Sequence, residues 1–232
     1  MSFAKVLSAQ TSMLVGQIIV VEADISRGLN SFSIVGLGDK AVDEAKDRVG
    51  SALKNSGFSS PKHQNQKTVI SLAPANIKKE GAYFDVAIAL AYLKSSNELV
   101  TDETMRVFVG ELALDGTVKP VPGILPIAKE CALNGITELY VPMANVKEAA
   151  LVPGIFIYGY SNLLELTKHL DKTLAKSGNG AHSKLSLAPE TMIEYEKQND
   201  TNDFSLVRGQ ESAKRGLLIA ACGGHNIAMY GP

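Results

Sequence analysis

The first quarter of the chain has a hydrophobic period of two. Apolar and β-branched residues alternate with polar ones along residues 3–14 and again along residues 17–26, a pattern typical of two strands joined in a hairpin. A third strand is predicted at Phe32–Val35. From Asp39 to Asn55 the period becomes helical, with apolar residues on one face and charged residues on the other, so we predict an amphipathic helix there.

The middle of the chain carries its most apolar segments. Lys67–Leu72 has the composition of a buried strand, and a helix predicted at Ala82–Leu93 is apolar nearly all round. That helix should therefore lie at the centre of the core. Arg106–Val121 predicts a second hairpin, closed by an Asp-Gly pair that readily adopts a tight turn.

Helices and strands then alternate as far as residue 170. The predicted elements are a helix at 124–134, a strand at 139–141, a short helix at 146–151, a strand at 155–158 and a helix at 163–170. An antiparallel start followed by this alternation indicates an α+β or α/β fold.

Composition divides the chain into three parts. Residues 1–172 hold the elements above, residues 173–200 are polar and predict a linker, and residues 201–232 begin a second domain. That last part predicts a helix at Glu211–Cys222 and a strand at Ile227–Tyr230. Because a strand of buried type at the end of the sequence has no following element to pack against, we expect the second domain to be truncated.

Composition and charge exclude several classes of protein. With 45% apolar residues the chain can bury a sizeable core, which excludes disorder throughout. Its 23 basic and 24 acidic side chains give a net charge of -1, which excludes a highly cationic nucleic-acid coat. No apolar run reaches the roughly 18 residues of a membrane span, and the N-terminus lacks the apolar stretch of a signal peptide. We therefore expect a cytoplasmic protein with no membrane partner.

The cysteines and histidines give no sign of a metal centre. Cys131 and Cys222 lie far apart in apolar helical patterns, and no Cys/His spacing is that of a zinc site. We expect reduced thiols and no bound metal.

Two local features raise the question of chemistry. Gly36-x-Gly38-x-x-Ala41 follows a strand and opens a helix, which is the setting of a dinucleotide-binding loop, although an ordinary strand-to-helix turn uses glycines in the same way. A hairpin precedes this unit and no acidic residue follows the next strand to bind a ribose, which favours the turn. Asp85 is a carboxylate on an apolar helix, where a cap or a buried hydrogen-bonded role is favoured over a catalytic one.

The end of the chain carries a specific resemblance. DFSLVRGQESAKRGLLIAACGGHNIAMYGP, residues 203–232, resembles the stretch that leads into the Walker A loop of the AAA+ module in the ComM/YifB family of Mg-chelatase-like ATPases. FSIVGLGDKAVDEAKDRV, residues 32–49, resembles that family's N-terminal domain, with Gly38 in place of a family proline. The resemblance implies that the intact protein binds ATP and Mg²⁺, whereas this chain alone binds no cofactor. The residues that it would contribute to ATP binding are Val207, Gly209, Gln210, Gly231 and Pro232.

The family's N-terminal domain is similar in fold to the Lon peptidase domain. VGELALDGTVKPVPGILPIAKECALNGITELYVP, residues 109–142, and KEGAYFDVAIAL, residues 79–90, resemble two Lon segments. In that register Tyr83 takes the place of the nucleophilic serine and Leu125 the place of the general-base lysine. A leucine accepts no proton, and a phenol with a pKa near 10 is a poor nucleophile without a base. The resemblance thus implies an α+β, Lon-protease-like domain without peptidase chemistry.

The same resemblance implies a role for the chain. It would be a non-catalytic accessory domain of a ring-forming, hexameric AAA+ ATPase that acts on single-stranded or branched DNA, as a branch-migration helicase in recombination or natural transformation. Its partners would be further copies of itself and DNA. Two alternatives stay open, namely the motor subunit of a magnesium chelatase and a dinucleotide-binding enzyme.

Local lysines are the candidates for DNA contact, because the net charge is close to zero. They are Lys62, Lys67, Lys78 and Lys79. One copy could neutralise few phosphates, but six copies around a channel would raise the apparent affinity. A solvated loop is the competing interpretation.

Overall fold

The computed structural model describes residues 2–61, 65–101, 105–176, 184–193 and 203–231. The chain forms two compact units, Met1–Met192 and Ile193–Pro232. Each unit is described separately below.

The first unit is built on a mixed seven-stranded sheet. Its strands are β1 (Ser2–Ser12), β2 (Val15–Arg27), β3 (Ser31–Val35), β4 (Gln66–Ala73), β5 (Arg106–Phe108), β8 (Glu138–Pro142) and β9 (Phe156–Tyr160), in the spatial order β3-β4-β2-β1-β5-β8-β9. A separate two-stranded ladder joins β6 (Glu111–Leu112) to β7 (Val118–Lys119). β2 runs antiparallel to both of its neighbours, and the other four pairs in the large sheet are parallel.

Six α-helices accompany the sheet among the described residues of this unit. They are α1 (Lys40–Asn55), α2 (Asp85–Ser95), α3 (Ile124–Leu133), α4 (Val146–Ala149), α5 (Leu163–Leu170) and α6 (Lys172–Lys176). α2 contacts β1 and β2, and α1 packs against α2 and β3. All but one of the residues of α2 are buried, which confirms that this helix lies at the centre of the core.

Helices cover both faces of the sheet, and alternate residues of β2 face one side or the other. Ile19, Val21 and Ala23 are fully buried on the face that packs against α2. Gly16 points to the opposite face, where a Cβ would lie 2.5 Å from the Pro126 carbonyl oxygen in α3. The glycine therefore permits α3 to approach the backbone of β2, and the unit has helices on both sides of its sheet.

Most of the predicted elements are confirmed. β1 and β2 pair in register from Ser2↔Ile25 to Ser12↔Val15, as expected for a hairpin. α1 buries the apolar face that the pattern indicates, and Asp39 caps its N-terminus by accepting a hydrogen bond from the Val42 N–H at 2.9 Å.

The predicted hairpin at Arg106–Val121 is wrong in its first half. β5 pairs in parallel with β1 and β8, and only β6 and β7 form the hairpin. The backbone is diverted at Gly110, whose N–H donates to the Tyr83 carbonyl oxygen at 3.1 Å and whose carbonyl oxygen accepts from the Val86 N–H at 3.4 Å. The start of α2 therefore takes the hydrogen bonds that would have continued the strand.

The segment 184–192, which lies inside the predicted linker 173–200, is part of the first unit and packs against it. Leu187 forms an antiparallel bridge with Tyr158, and the Ala188 N–H donates to the Ile157 carbonyl oxygen at 2.9 Å. Leu185 is buried, and its N–H donates to His169 Nδ1 at 3.0 Å. We call residues 184–192 the strap, because they cover the outer edge of β9.

The second unit contains α7 (Glu211–Gly223), which confirms the predicted helix. The predicted strand at Ile227–Tyr230 is wrong, because the described residues 224–231 form no strand pairing. A strand needs a partner for its backbone hydrogen bonds, and this segment instead returns along its own helix, where a Cβ at Gly216 would lie 3.3 Å from Ile227 Cδ1. No helix in the described part of the chain is long and apolar enough to cross a bilayer.

Candidate functional site

The N-terminus of α2 holds a buried ion pair. Arg48 Nε lies 2.7 Å from Asp85 Oδ2 and Arg48 Nη2 lies 3.0 Å from Asp85 Oδ1, so the guanidinium binds the carboxylate with two hydrogen bonds. The Leu112 N–H also donates to Asp85 Oδ2, at 3.2 Å. These contacts connect α1, α2 and β6 through one carboxylate that is 1% exposed.

Burial and the guanidinium act on the pKa of Asp85 in opposite directions. Burial raises it most, while the hydrogen bond and the charge of Arg48 lower it, and the resulting pKa is about 6. Every oxygen of the carboxylate has a donor, so the geometry supports the structural role for Asp85 over a catalytic one. Arg48 was not among the candidate residues. The sequence does offer a signal for it, because Arg48 is a charged residue next to Val49 on the buried face of α1. A buried carboxylate such as Asp85 needs a cation as its partner.

Tyr83 and Leu125, the residues that the Lon resemblance assigns to the dyad positions, are packing residues in this structure. Tyr83 is 8% exposed, and burial raises the pKa of its phenol, which keeps the hydroxyl protonated. Leu125 is the second residue of α3 and packs against the core, while its N–H donates to Glu148 Oε1 at 2.9 Å. Neither side chain offers a nucleophile or a base at neutral pH.

The end of β1 positions the loop that precedes α2 and the loop that precedes α3. Gln10 Oε1 accepts from the Glu80 N–H at 3.1 Å, and Gln10 Nε2 donates to the Lys78 carbonyl oxygen at 2.8 Å. On the next residue, the Thr11 side chain closes against Gly123, where a Cβ would meet Thr11 Cγ2 at 2.5 Å. Two consecutive residues of one strand thus hold the loop that precedes α2 and the loop that precedes α3.

We expect the chain to lack peptidase activity, because a protonated phenol and a leucine stand where the resemblance places the nucleophile and the base. Incubation with unfolded casein and with a fluorogenic peptide should show no turnover. Turnover that persists through further purification and disappears in a Tyr83→Phe variant would contradict this expectation.

The glycine loop before α1 is closed against the neighbouring backbone. A Cβ at Gly36 would lie 2.2 Å from the Leu72 carbonyl oxygen, and Gly38 forms a parallel bridge with Lys79. Asp39 accepts from the N–H groups of Val42 and of Gly81, at 2.9 and 3.0 Å. An anionic carboxylate therefore already occupies the helix N-terminus at which a dinucleotide phosphate would bind, which argues against the dinucleotide alternative.

The structure describes three of the four candidate DNA-binding lysines and exposes only two of these. Lys67 is exposed on β4, and Lys78 is exposed in an ion pair with Glu80 at 2.7 Å. Lys79 is fully buried, its Nζ donates to the Pro74 carbonyl oxygen, and desolvation lowers its pKa. Lys79 is therefore no surface cation, which corrects its assignment to the patch, and Lys62 lies outside the described residues.

The candidate ATP-binding residues surround the start of α7 and the end of the chain. Val207 is 43% exposed, Gly209 and Gln210 are exposed in the turn before the helix, and Gly231 is exposed. Pro232 lies outside the described residues. No group of three or more His, Cys, Asp or Glu residues in the described ranges is arranged to hold a metal ion.

Two family models match the chain in separate parts. "Subunit ChlI of Mg-chelatase" matches residues 21–145, and "Magnesium chelatase, subunit ChlI" matches residues 203–232. The first match covers more than half of the chain and contains α1, α2, Tyr83 and Leu125.

Three relatives illustrate the similarity. Competence protein ComM of Haemophilus influenzae is 36% identical over 237 residues, which cover 100% of this chain and 44% of ComM. Lon protease 2 of Thermus thermophilus is 28% identical over 163 residues, 68% of this chain and 20% of the protease. DNA repair protein RadA of Streptococcus pneumoniae is 30% identical over 105 residues, 45% of this chain and 24% of RadA.

The chain thus spans less than half the length of these curated relatives. ComM-like similarity extends over all of it, and one Mg-chelatase match falls within each compact unit. The chain therefore belongs to the ComM/YifB family of Mg-chelatase-like AAA+ ATPases.

Proposed function

We propose that this chain is the non-catalytic N-terminal part of a cytoplasmic, ring-forming AAA+ ATPase that acts on DNA as a branch-migration helicase in recombination or natural transformation. ATP and Mg²⁺ bind the intact protein at a site to which Val207, Gly209, Gln210, Gly231 and Pro232 contribute. The first unit has a Lon-protease-like fold that serves assembly or DNA guidance. The ring is a hexamer of identical chains.

The observation that carries this proposal is that both residues assigned to the Lon dyad by resemblance are packing residues. The similarity to Lon protease 2 spans 68% of the chain, yet Tyr83 and Leu125 are packing residues. The loops around these two residues are held in place by contacts that include the Arg48–Asp85 pair and the Gln10 bridge. A domain that keeps its architecture without these reactive groups is best explained by a binding or assembly role.

Action on DNA is supported by the relatives rather than by a basic surface. One relative is named as a DNA repair protein and another as a competence protein. With Lys79 buried, the proposed DNA contacts of the first unit reduce to Lys62, Lys67 and Lys78. So few charges bind DNA weakly in one copy, and only the ring makes the contact effective.

The test uses the full-length protein with fluorescent single-stranded and forked DNA. Replacing Lys62, Lys67 and Lys78 with alanine should weaken DNA binding and reduce the dependence of the dissociation constant on salt, as measured by anisotropy at two salt concentrations. ATP hydrolysis, followed in parallel, should be stimulated by forked DNA in the parent protein.

The matched control replaces three exposed lysines elsewhere, Lys40, Lys54 and Lys147. It should bind DNA like the parent. If both triple variants bind with the parent's affinity and salt slope, these lysines are solvated and the unit serves assembly alone. If forked DNA does not stimulate ATP hydrolysis, the helicase proposal is wrong.

A second candidate function is the motor subunit of a magnesium chelatase, because both matching family models carry that description. The discriminating measurement is Mg²⁺ insertion into a porphyrin by the full-length protein together with chelatase partner subunits. ATP-dependent insertion without any effect of DNA on hydrolysis would favour the chelatase.

A further inference from the structure

The tip of the β1–β2 hairpin is an exposed apolar surface. Met13 is 96% exposed, Leu14 is 89% exposed and Val15 is 58% exposed. Single exposed apolar side chains are ordinary, whereas a consecutive exposed run at a loop tip costs solubility and indicates a binding role. We call Met13, Leu14 and Val15 the apolar tip.

The backbone of the apolar tip gives a second, independent indication. Met13 has a φ of 55°, in the left-handed region where glycine or asparagine is the usual residue. A tight hairpin turn is normally made by those small or polar residues. Here the turn instead carries a long apolar side chain in a strained conformation, and departures of this kind concentrate at functional positions.

An open apolar cleft lies at the other end of the same strand. β1 pairs with β5 only at Leu7↔Val107, so residues 2–6 of β1 have no strand on that side among the described residues. The resulting cleft has a volume of about 570 Å³. Its apolar lining includes Phe3, Leu7, Leu90, Leu99, Met105 and Phe108.

Among the described residues, the charged side chains that line the cleft are Lys5, Lys94 and Arg106. Arg106 Nε is ion-paired with Glu138 Oε2 at 2.5 Å, so Lys5 and Lys94 supply the basic rim. Lys94 Nζ donates to the Lys5 carbonyl oxygen at 3.2 Å, which places its charge at the mouth of the cleft. At the base of the apolar tip, the nearest helix presents Glu130, whose Cβ lies 2.7 Å from the position of a Cβ on Gly16.

We propose that the apolar tip of one copy inserts into the cleft of the next copy, with Glu130 facing the basic rim. About 30 Å of β1 separates the two features, at roughly 3.3 Å per residue. The rigid hairpin therefore cannot fill its own cleft, and a second copy must supply the tip. Because the two surfaces differ, the contact is head-to-tail. Such a contact generates a closed ring when the rotation between neighbouring copies divides a full turn.

This inference rests on the proposed ring and names a contact that joins its N-terminal units. The contact area of one tip is small, so the interaction is weak between isolated chains. In a ring held by the ATPase modules, the neighbouring tip is present at a high effective concentration. The contact between tip and cleft then gives every copy the same orientation around the ring.

Disulfide trapping between two separately purified variants of the 232-residue chain tests the contact. One carries Met13→Cys and the other Met105→Cys, both with Cys222→Ser so that the exposed native thiol is absent. After mixing and mild oxidation, we expect the Met13→Cys chain to form a mixed dimer with the Met105→Cys chain about tenfold faster than a Leu29→Cys chain does. The reason is that the contact raises the local concentration of the two thiols. Leu29 is the matched control, being 93% exposed on a different loop.

A second substitution separates contact from chance collision. Leu14→Gln added to the Met13→Cys chain should slow trapping to the control rate, whereas Leu29→Gln added to the same chain should leave it unchanged. Equal rates for Met13→Cys and Leu29→Cys would overturn the proposal, as would a faster Met13–Met13 cross-link, which indicates a tip-to-tip contact. Trapping reports only contact between copies, while DNA-stimulated ATP hydrolysis reports the proposed function, so either can fail alone.

Discussion

Replacing Arg48 with methionine is expected to lower the free energy of unfolding by about 3–5 kcal/mol at pH 8, the usual effect of removing one partner of a buried ion pair. The substitution leaves Asp85, which is 1% exposed, without its guanidinium. The Leu112 N–H would remain as a donor to the carboxylate, but one N–H does not offset a buried charge. Urea denaturation followed by circular dichroism measures the change.

The pH dependence of that loss identifies Asp85 as its origin. The folded-state pKa of Asp85, about 6, lies above its ordinary value of 3.8, so protonation favours the folded state. The contribution of this group to stability is full below pH 3.8 and is lost as the pH rises through 6. Without Arg48 the pKa rises further, so the deficit of the Arg48→Met variant should be larger at pH 8 than at pH 5.

Two control variants accompany this measurement. Asp85→Asn in the Arg48→Met background removes the charge and keeps an oxygen for the Leu112 N–H, so it should recover much of the loss at pH 8. Lys46→Met removes an exposed ion pair with Asp43, 3.7 Å long, and should change stability by less than about 1 kcal/mol. An equal deficit at pH 5 and pH 8 would show that Arg48 acts through its packing and not through the charge of Asp85.

Gly36→Ala should destabilise the first unit by about 3 kcal/mol or more, the sum of an overpacking cost and a backbone cost. The new Cβ would lie 2.2 Å from the Leu72 carbonyl oxygen, and β4 cannot move away without losing its pairing to β3. In addition, the φ of 122° at Gly36 is unfavourable for alanine. The midpoint of urea unfolding should fall accordingly.

Gly57→Ala is the matched control, because Gly57 also has a positive φ, 87°, but nothing lies within 4 Å of its added Cβ. That variant should lose only the backbone contribution, on the order of 1–2 kcal/mol. The difference between the two variants measures the close approach of β4. Equal losses would refute the close approach and reopen a ligand-binding reason for the glycine at position 36.

The elements that sequence patterns predicted well are those whose hydrophobic period is strong and local. The alternation in β1 and β2 and the apolar face of α1 each need only a few neighbouring residues to be recognised, and the structure confirms them. Asp85 also stood out by itself, since a carboxylate in an apolar helix demands an explanation.

Long-range contacts could not be predicted in this way. Nothing local indicates that Gly110 hydrogen-bonds to the start of α2, which ends the expected strand at β5. Lys79 follows Lys78 in a segment of surface composition, yet its neighbours bury it completely. The partner of Asp85 lies 37 positions away on another helix, and only the packing of α1 against α2 brings the two charges together.

The strap has a practical consequence for anyone who isolates the first unit. A protein cut at residue 172, where the polar composition begins, would lose the hydrogen bonds that the strap makes to β9. Its outermost strand would then present unpaired N–H and C=O groups, a surface that recruits other chains into intermolecular sheets. Its buried Leu185 would no longer cover the sheet beside His169. Precipitation of such a truncated protein would reflect this bare strand edge and not a failure of the core to fold, and keeping residues 184–192 preserves the protection.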